Sequence, residues 1–205
     1  MKKHALTLRL RERPIKTDFE TQHPDFVKEM AKCIKTSLPV HGKAEYTSFL
    51  KKVTAVIARY QDELTLPTPR FDREMELLAN DELNLVIPAW GGVAPQLVDK
   101  KRGIREKYLI VRQATSASGV LGDPEFHRLK DEFLTIEEGY VIIVESEPNA
   151  WDAGQATMTF AEPGDTFAIH QGNRHGIIAV TDTLILEKAS NTLKDDILCA
   201  WEKAL

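Results

Sequence analysis

The sequence predicts a mainly β protein, an antiparallel sandwich or barrel preceded by a helical region. Three observations carry this. From about residue 70 onward, short apolar runs alternate with turn residues at near-regular spacing, with no helical stretch between them. Residues 24–63 instead repeat their apolar side chains at helical intervals. The chain of 205 residues is 42% hydrophobic and 28% charged, ordinary for a soluble globular protein. A chain of this length buries about 70% of its unfolded surface. It therefore needs no metal or disulfide to fold, and a bound metal is expected to serve function.

Taken in order, residues 1–14 alternate Leu6, Leu8 and Leu10 with Thr7, Arg9 and Arg11, the period of a strand, and the charged residues suit a sheet edge. Pro24 opens a helix over 24–37, whose face holds Phe26, Val27, Met30, Cys33 and Ile34. A second helix fits 44–63, with Tyr46, Phe49, Leu50, Val53, Val56, Ile57 and Tyr60 as its stripe. Residues 65–70 read as a Pro-marked linker. This divides the chain into an N-terminal strand and helical region (1–70) packed on a barrel (71–205). Strand-like runs follow at 83–87, 108–111, 133–136, 140–144, 157–160, 166–169, 176–180 and 183–186. A closing helix is expected over 193–204, with Thr192 as N-cap, Asp195 and Asp196 in its first turn, and Ile197, Trp201 and Leu205 facing the barrel.

Charge and composition narrow the function. A formal net charge of −4 argues against a general nucleic-acid binder. No run approaches the ~18 apolar residues of a membrane span. Arg9, Arg11, Glu12 and Arg13 break what would otherwise be the apolar part of a leader. Cys33 and Cys199 read as buried free thiols on helix faces, and a cytoplasmic protein is expected.

The chemistry concentrates in two segments, 122–139 and 163–176. Glu125 and His127 are two apart, so a strand points both to one side. Glu132 joins them if the strand bends. His175 follows the Gly172 turn. Imidazole and carboxylate together suit a divalent first-row metal such as Fe, Mn, Zn, Ni or Co, and open coordination positions would make the site catalytic. Arg128, Lys130, Arg174 and Arg112 lie in or beside these segments and match phosphate or carboxylate groups. His4, His23 and His41 read as surface or hydrogen-bonded residues, and Glu137, Glu138 and Asp131 as solvated. The basic run Lys100, Lys101, Arg102 and Arg105 reads as a solvated hairpin.

These segments resemble the paired motifs of the cupin superfamily. Glu132, six residues and Gly139 match the second half of the first motif, with His127 at its second histidine. Gly164, five residues, His170-Gln-Gly172, two residues and His175 match the second motif, except that His170 replaces proline. Glu125 replaces the first metal histidine of the family. The resemblance covers about residues 100–190 and implies a cupin-type double-stranded β-helix, a jelly-roll barrel. It implies metal ligation by His127, Glu132 and His175, with Glu125 as a fourth ligand or directed at substrate. His170 is then a residue of the pocket mouth that binds substrate or serves as acid or base.

The implied activity is aldose–ketose isomerisation or epimerisation of a sugar or sugar phosphate through an enediolate, with Glu125 or Lys130 as base and Arg128, Arg174, His170 and Arg112 as substrate contacts. The tail 186–191 loosely resembles the Glu-x-Ser segment of several sugar-acting cupins. The same ligands would serve an Fe(II) dioxygenase, and a metal-free barrel would be a ligand-binding module. A basic pocket favours the isomerase and an apolar pocket the oxygenase. The resemblance also implies a homodimer.

Overall fold

A computed structural model describes residues 7–10, 17–38, 40, 42–80, 88–99, 103–117, 124–152, 155–190 and 197–199. The chain begins with strand β1 (Thr7–Leu10) and helices α1 (Thr17–Gln22), α2 (Pro24–Ser37), α3 (Lys43–Arg59) and α4 (Gln61–Leu64). Pro24 takes the first position of α2, where its missing N–H goes unused, and Asp25 sits where the helix dipole favours an acid. Phe26, Met30 and Ile34 recur every fourth residue and are buried. α3 buries the predicted stripe from Tyr46 to Ile57, but Tyr60, at φ −102° and ψ 13°, ends it before the expected residue 63.

Residues 65–68 connect to a helix the sequence reading missed, α5 (Pro69–Asn80). Its first two residues, Pro69 and Arg70, fall in the expected linker. α5 buries only Phe71 and Leu78, too thin a stripe to stand out from its charged neighbours. Tertiary contacts hold it. The Glu138 carboxylate accepts the backbone N–H groups of Arg70 (3.0 and 3.2 Å) and Phe71 (3.0 Å), two donors a helix start leaves unsatisfied. Glu137 pairs with the Arg70 guanidinium. The two glutamates expected in solvent thus anchor a helix. Leu78 seats over Gly92, where any Cβ would lie 2.3 Å from a Leu78 methyl.

The strands that follow are β2 (Gly91–Asp99), β3 (Ile104–Val111), β4 (Ser116–Ala117), β5 (Glu125–His127), β6 (Glu132–Glu138) and β7 (Val141–Ser146). After the short helix α6 (Pro148–Asp152) come β8 (Gln155–Ala161), β9 (Thr166–Ile169), β10 (Arg174–Ala179), β11 (Thr183–Ser190) and β12 (Ile197–Cys199). They form a seven-stranded sheet ordered β1-β8-β7-β10-β5-β12, with β4 also on β10, and a five-stranded sheet ordered β2-β3-β11-β6-β9. All pairings are antiparallel except β1 on β8, an edge position as the charge pattern implied. The expected strand at 83–87 lies outside the described residues, as do Lys100, Lys101, Arg102, His4 and His41.

The hairpin expected over 100–107 is the one that β2 and β3 form, with Asp99 opposite Ile104, and β11 pairs the other edge of β3. One expectation is corrected. Residues 197–199 form a strand rather than the closing helix. Ile197, Leu198 and Cys199 pair with His127, Phe126 and Glu125, so this apolar triplet covers the side of β5 that β10 leaves open. Thr192, Asp195, Asp196, Trp201 and Leu205 lie outside the described residues. Cys33 is half-buried on α2 and free.

Three apolar clusters result. α1–α4 pack on the outer face of the seven-stranded sheet through Ile142, Val144, Met158 and Ile178. α5 packs on the outer face of the five-stranded sheet through Ile110 and Leu184. Between the sheets, Leu109, Val111, Ile136, Val141, Ile143, Ile177 and Ile185 fill one end of the interior. The other end holds buried His127, Lys130, Glu132, His175 and Glu187.

Candidate metal centre

Strand alternation builds the site. On β5, Glu125 and His127 face the interior while Phe126 faces out and is 1% exposed. β10 sets His175 in register with Glu125. Glu132 opens β6 in the opposite sheet and is 2% exposed. The loop between β5 and β6 is pinned. Gly172 N–H donates to the His127 carbonyl (2.6 Å), and Gln171 N–H donates to the Asp131 carboxylate (3.0 Å). Asp131 is therefore a loop pin.

The four predicted ligands converge. His127 Nε2 is 3.3 Å from Glu132 Oε1 and 3.9 Å from Glu125 Oε1. His175 Nε2 is 3.2 Å from Glu132 Oε2 and 3.6 Å from Glu125 Oε1. Glu125, His127 and His175 each offer a donor atom within 4.8 Å of the others. Donors ~2.1 Å from one ion lie about 3.0 Å apart at right angles and about 3.4 Å apart in a tetrahedron. The donor spacing and the mixture of imidazole and carboxylate therefore fit a divalent first-row metal. His175 Nδ1 faces the Asn173 carbonyl at 3.4 Å, which favours the tautomer with its proton on Nδ1 and leaves Nε2 for a metal.

The electrostatics show how tightly these groups are coupled. Burial pushes the Glu132 carboxyl up. Hydrogen bonds from both imidazoles, and their charges, reverse this and hold it well below the usual carboxylate range. Burial opposes charging His175, yet its hydrogen bonds to Glu125 and Glu132 raise its pKa to about 10. Lys130 Nζ lies 2.7 Å from Glu132 Oε1. Burial lowers the pKa of Lys130, but the charge and hydrogen bond of Glu132 outweigh burial and raise it, so the amine stays protonated.

A further group here lies in the 186–191 tail and was given no site role from the sequence. Glu187 on β11 is 4% exposed and 2.9 Å from Lys107 Nζ, its register partner on β3. Burial, then the charge of Glu132, raise its pKa to about 7 against the opposing pull of Lys107. The alternation Ile185, Glu187, Ala189 already placed it on the inward face of its strand.

The remaining predicted contacts stand elsewhere. Arg174 alternates with His175 and so faces outward, with its guanidinium 4.5 Å from the Phe126 ring and donating to the Gly172 carbonyl (2.7 Å). Arg128 and Arg112 are exposed. His170 is exposed, 3.5 Å from Asp131, and lines a cavity of about 390 Å³ together with Glu145, Thr157 and Asn173.

No family model matches the sequence, and no curated protein matches it. Solved structures do resemble it. KdgF from Halomonas sp. is 19% identical, with 51% of this chain and 83% of that chain covered, at a TM-score of 0.38. A cupin-superfamily sugar phosphate isomerase from Silicibacter pomeroyi is 22% identical over 44% of this chain and 52% of that chain, at 0.35. Oxalate decarboxylase from Lactobacillus farciminis is 14% identical over 56% of this chain and 32% of that chain, at 0.45. The match thus spans about half and a third of the last two.

Proposed function

We propose that this chain, whose barrel has the cupin-type fold, is a metal-dependent isomerase or epimerase that interconverts an aldose and a ketose. The observation that carries the reading is the charged end of the barrel. Two imidazoles and the Glu125 carboxylate gather there, Glu132 lies within 3.3 Å of both imidazoles, and Lys130, Lys107 and Glu187 stand behind them. An oxygenase pocket for an apolar substrate would have little use for these charges.

His127, His175, Glu132 and Glu125 would hold the divalent ion, which supplies Lewis-acid polarisation of adjacent substrate oxygens. Glu125 is the most exposed of the four, with its side chain 19% accessible, and is the carboxylate an incoming substrate meets first. It is the better base of the two predicted. Its Oε1 faces the two imidazoles, so Oε2 would accept the proton from the carbon beside the carbonyl and return it to the former carbonyl carbon, while the hydroxyl proton passes from the neighbouring oxygen to the former carbonyl oxygen, and the aldose and ketose balance through an enediolate. Lys130, kept protonated against Glu132, instead fixes that carboxylate and adds positive charge where the enediolate is negative.

The test is elemental analysis of protein purified without added metal, beside H175A, followed by an aldose–ketose assay. About one metal per chain, lost in the variant, together with isomerisation supports the reading. Failure of metal-free protein to take up Mn or Fe refutes it. A second reading, an Fe(II) dioxygenase, draws on the grouping of Glu125, His127 and His175, two imidazoles and one carboxylate. Substrate-dependent oxygen consumption would select it. The proposal also takes the chain to be a cytoplasmic homodimer with a 1–70 region packed on a 71–205 barrel. Light scattering checks the dimer, and limited proteolysis the division.

A further inference from the structure

The cavity beside the metal centre carries an inference about substrate class, which rests on the isomerase reading above. Register places four residues in one row across adjacent strands of the seven-stranded sheet. Glu125 on β5 pairs with His175 on β10, His175 with Glu145 on β7, and Glu145 with Thr157 on β8. Register partners in an antiparallel pair share a face. The row therefore runs from two metal donors to two walls of the cavity of about 390 Å³. At about 4.8 Å per strand, Thr157 lies about 10 Å from His175, a span suited to a sugar chain whose carbonyl end sits at the metal donors. Asn173 and His170 complete the lining from the loop before β10.

The lining is rich in acceptors and hydroxyl-matching groups: Glu145, Glu147, Ser146, Gln155, Thr157 and Asn173. Among the described residues it includes no lysine or arginine. The cations that the sequence offered for a phosphate are engaged or turned elsewhere. Arg174 stacks on Phe126 outside the interior, Lys130 is bound to Glu132, and Arg128 and Arg112 are exposed away from the lining. Two carboxylates facing a phosphate would repel it, whereas they accept hydrogen bonds well from sugar hydroxyls.

We propose that this cavity is the subsite for the hydroxyl-bearing tail of an uncharged sugar, with Glu145 and Thr157 as its specificity-determining contacts. A phosphate reading would need a cation from the neighbouring strand, where Arg9 stands in register with Thr157.

The experiment measures binding of D-mannose and D-xylose, and of their 6- and 5-phosphates, to the full chain by calorimetry, with Mn uptake measured in parallel. The free sugars are expected to bind at least tenfold more tightly than the phosphates, and E145Q and T157V each to weaken free-sugar binding about tenfold or more while Mn uptake stays unchanged. T157A substitutes if T157V does not fold. Tighter binding of the phosphates, lost in R9Q, overturns the proposal. So do sugar affinities within twofold of the parent in both variants, and so does an absence of binding by every probe. Sugar binding lost in E145Q in a protein that takes up no Mn would refute the isomerase and leave the subsite standing. Mn uptake with phosphate preference would do the reverse.

Discussion

Metal affinity should rise steeply with pH, and the structure sets the slope. His175 Nε2 must give up its proton before it can coordinate an ion. Without metal, Glu125 and Glu132 surround the buried ring and raise its pKa to about 10. Removing that proton at pH 7 costs about 3 × 1.36, or roughly 4 kcal/mol. The apparent association constant should therefore increase about tenfold per pH unit from 6.5 to 8.5, with close to one proton released per ion. Calorimetry of Mn binding in two buffers of different ionisation enthalpy counts the protons directly. An affinity flat over that range with no proton release would refute the reasoning. The stability of the metal-free protein has the opposite sign. The raised pKa of His175 contributes fully below its unfolded value near 6.5, and the contribution is lost as pH rises through about 10.

Three further outcomes are expected. E138A removes the carboxylate that caps α5 and should destabilise the chain by about 1–2 kcal/mol in urea, with faster amide exchange at Phe71; unchanged exchange would show that the cap carries no stability. F126A deletes a buried ring and the stacking surface of Arg174, so a loss of about 3–5 kcal/mol is expected, and a loss under 1 would contradict the packing described. Glu187 has a folded pKa near 7, above its usual value. Its contribution is present below about 4.5 and fades as pH rises through about 7, so metal-free E187Q should gain up to about 3 kcal/mol on the parent across that window. Parallel stability curves for the two proteins would refute this.

The legible parts of the sequence were those where local period and fold agree. The Glu125-Phe126-His127 alternation, the helical stripe of α3 and the turn before His175 each encode their own geometry. The same alternation on β11 pointed Glu187 inward, but its ion-pair partner Lys107 comes from another strand and is not evident from the local sequence. β2 was hidden because Gly91, Gly92 and Pro95 are poor strand formers. It exists by pairing with β3, with a register shift at Pro95. The 197–199 triplet satisfies either a helical or an extended reading, and the open side of β5 decides between them. Arg174 stood beside a candidate ligand in sequence, which on a strand means the opposite face.

The four candidate ligands are divided between the sheets. Glu125, His127 and His175 belong to one, and Glu132 to the other. An ion held by all four would act as a rivet through the sandwich. Pulling the sheets apart would then require breaking coordination bonds as well as exposing the apolar end to water. Such a crosslink acts mainly on escape from the folded state, so a metal-loaded chain should unfold more slowly than a stripped one, and the interval before the barrel opens would itself report whether the ion is in place.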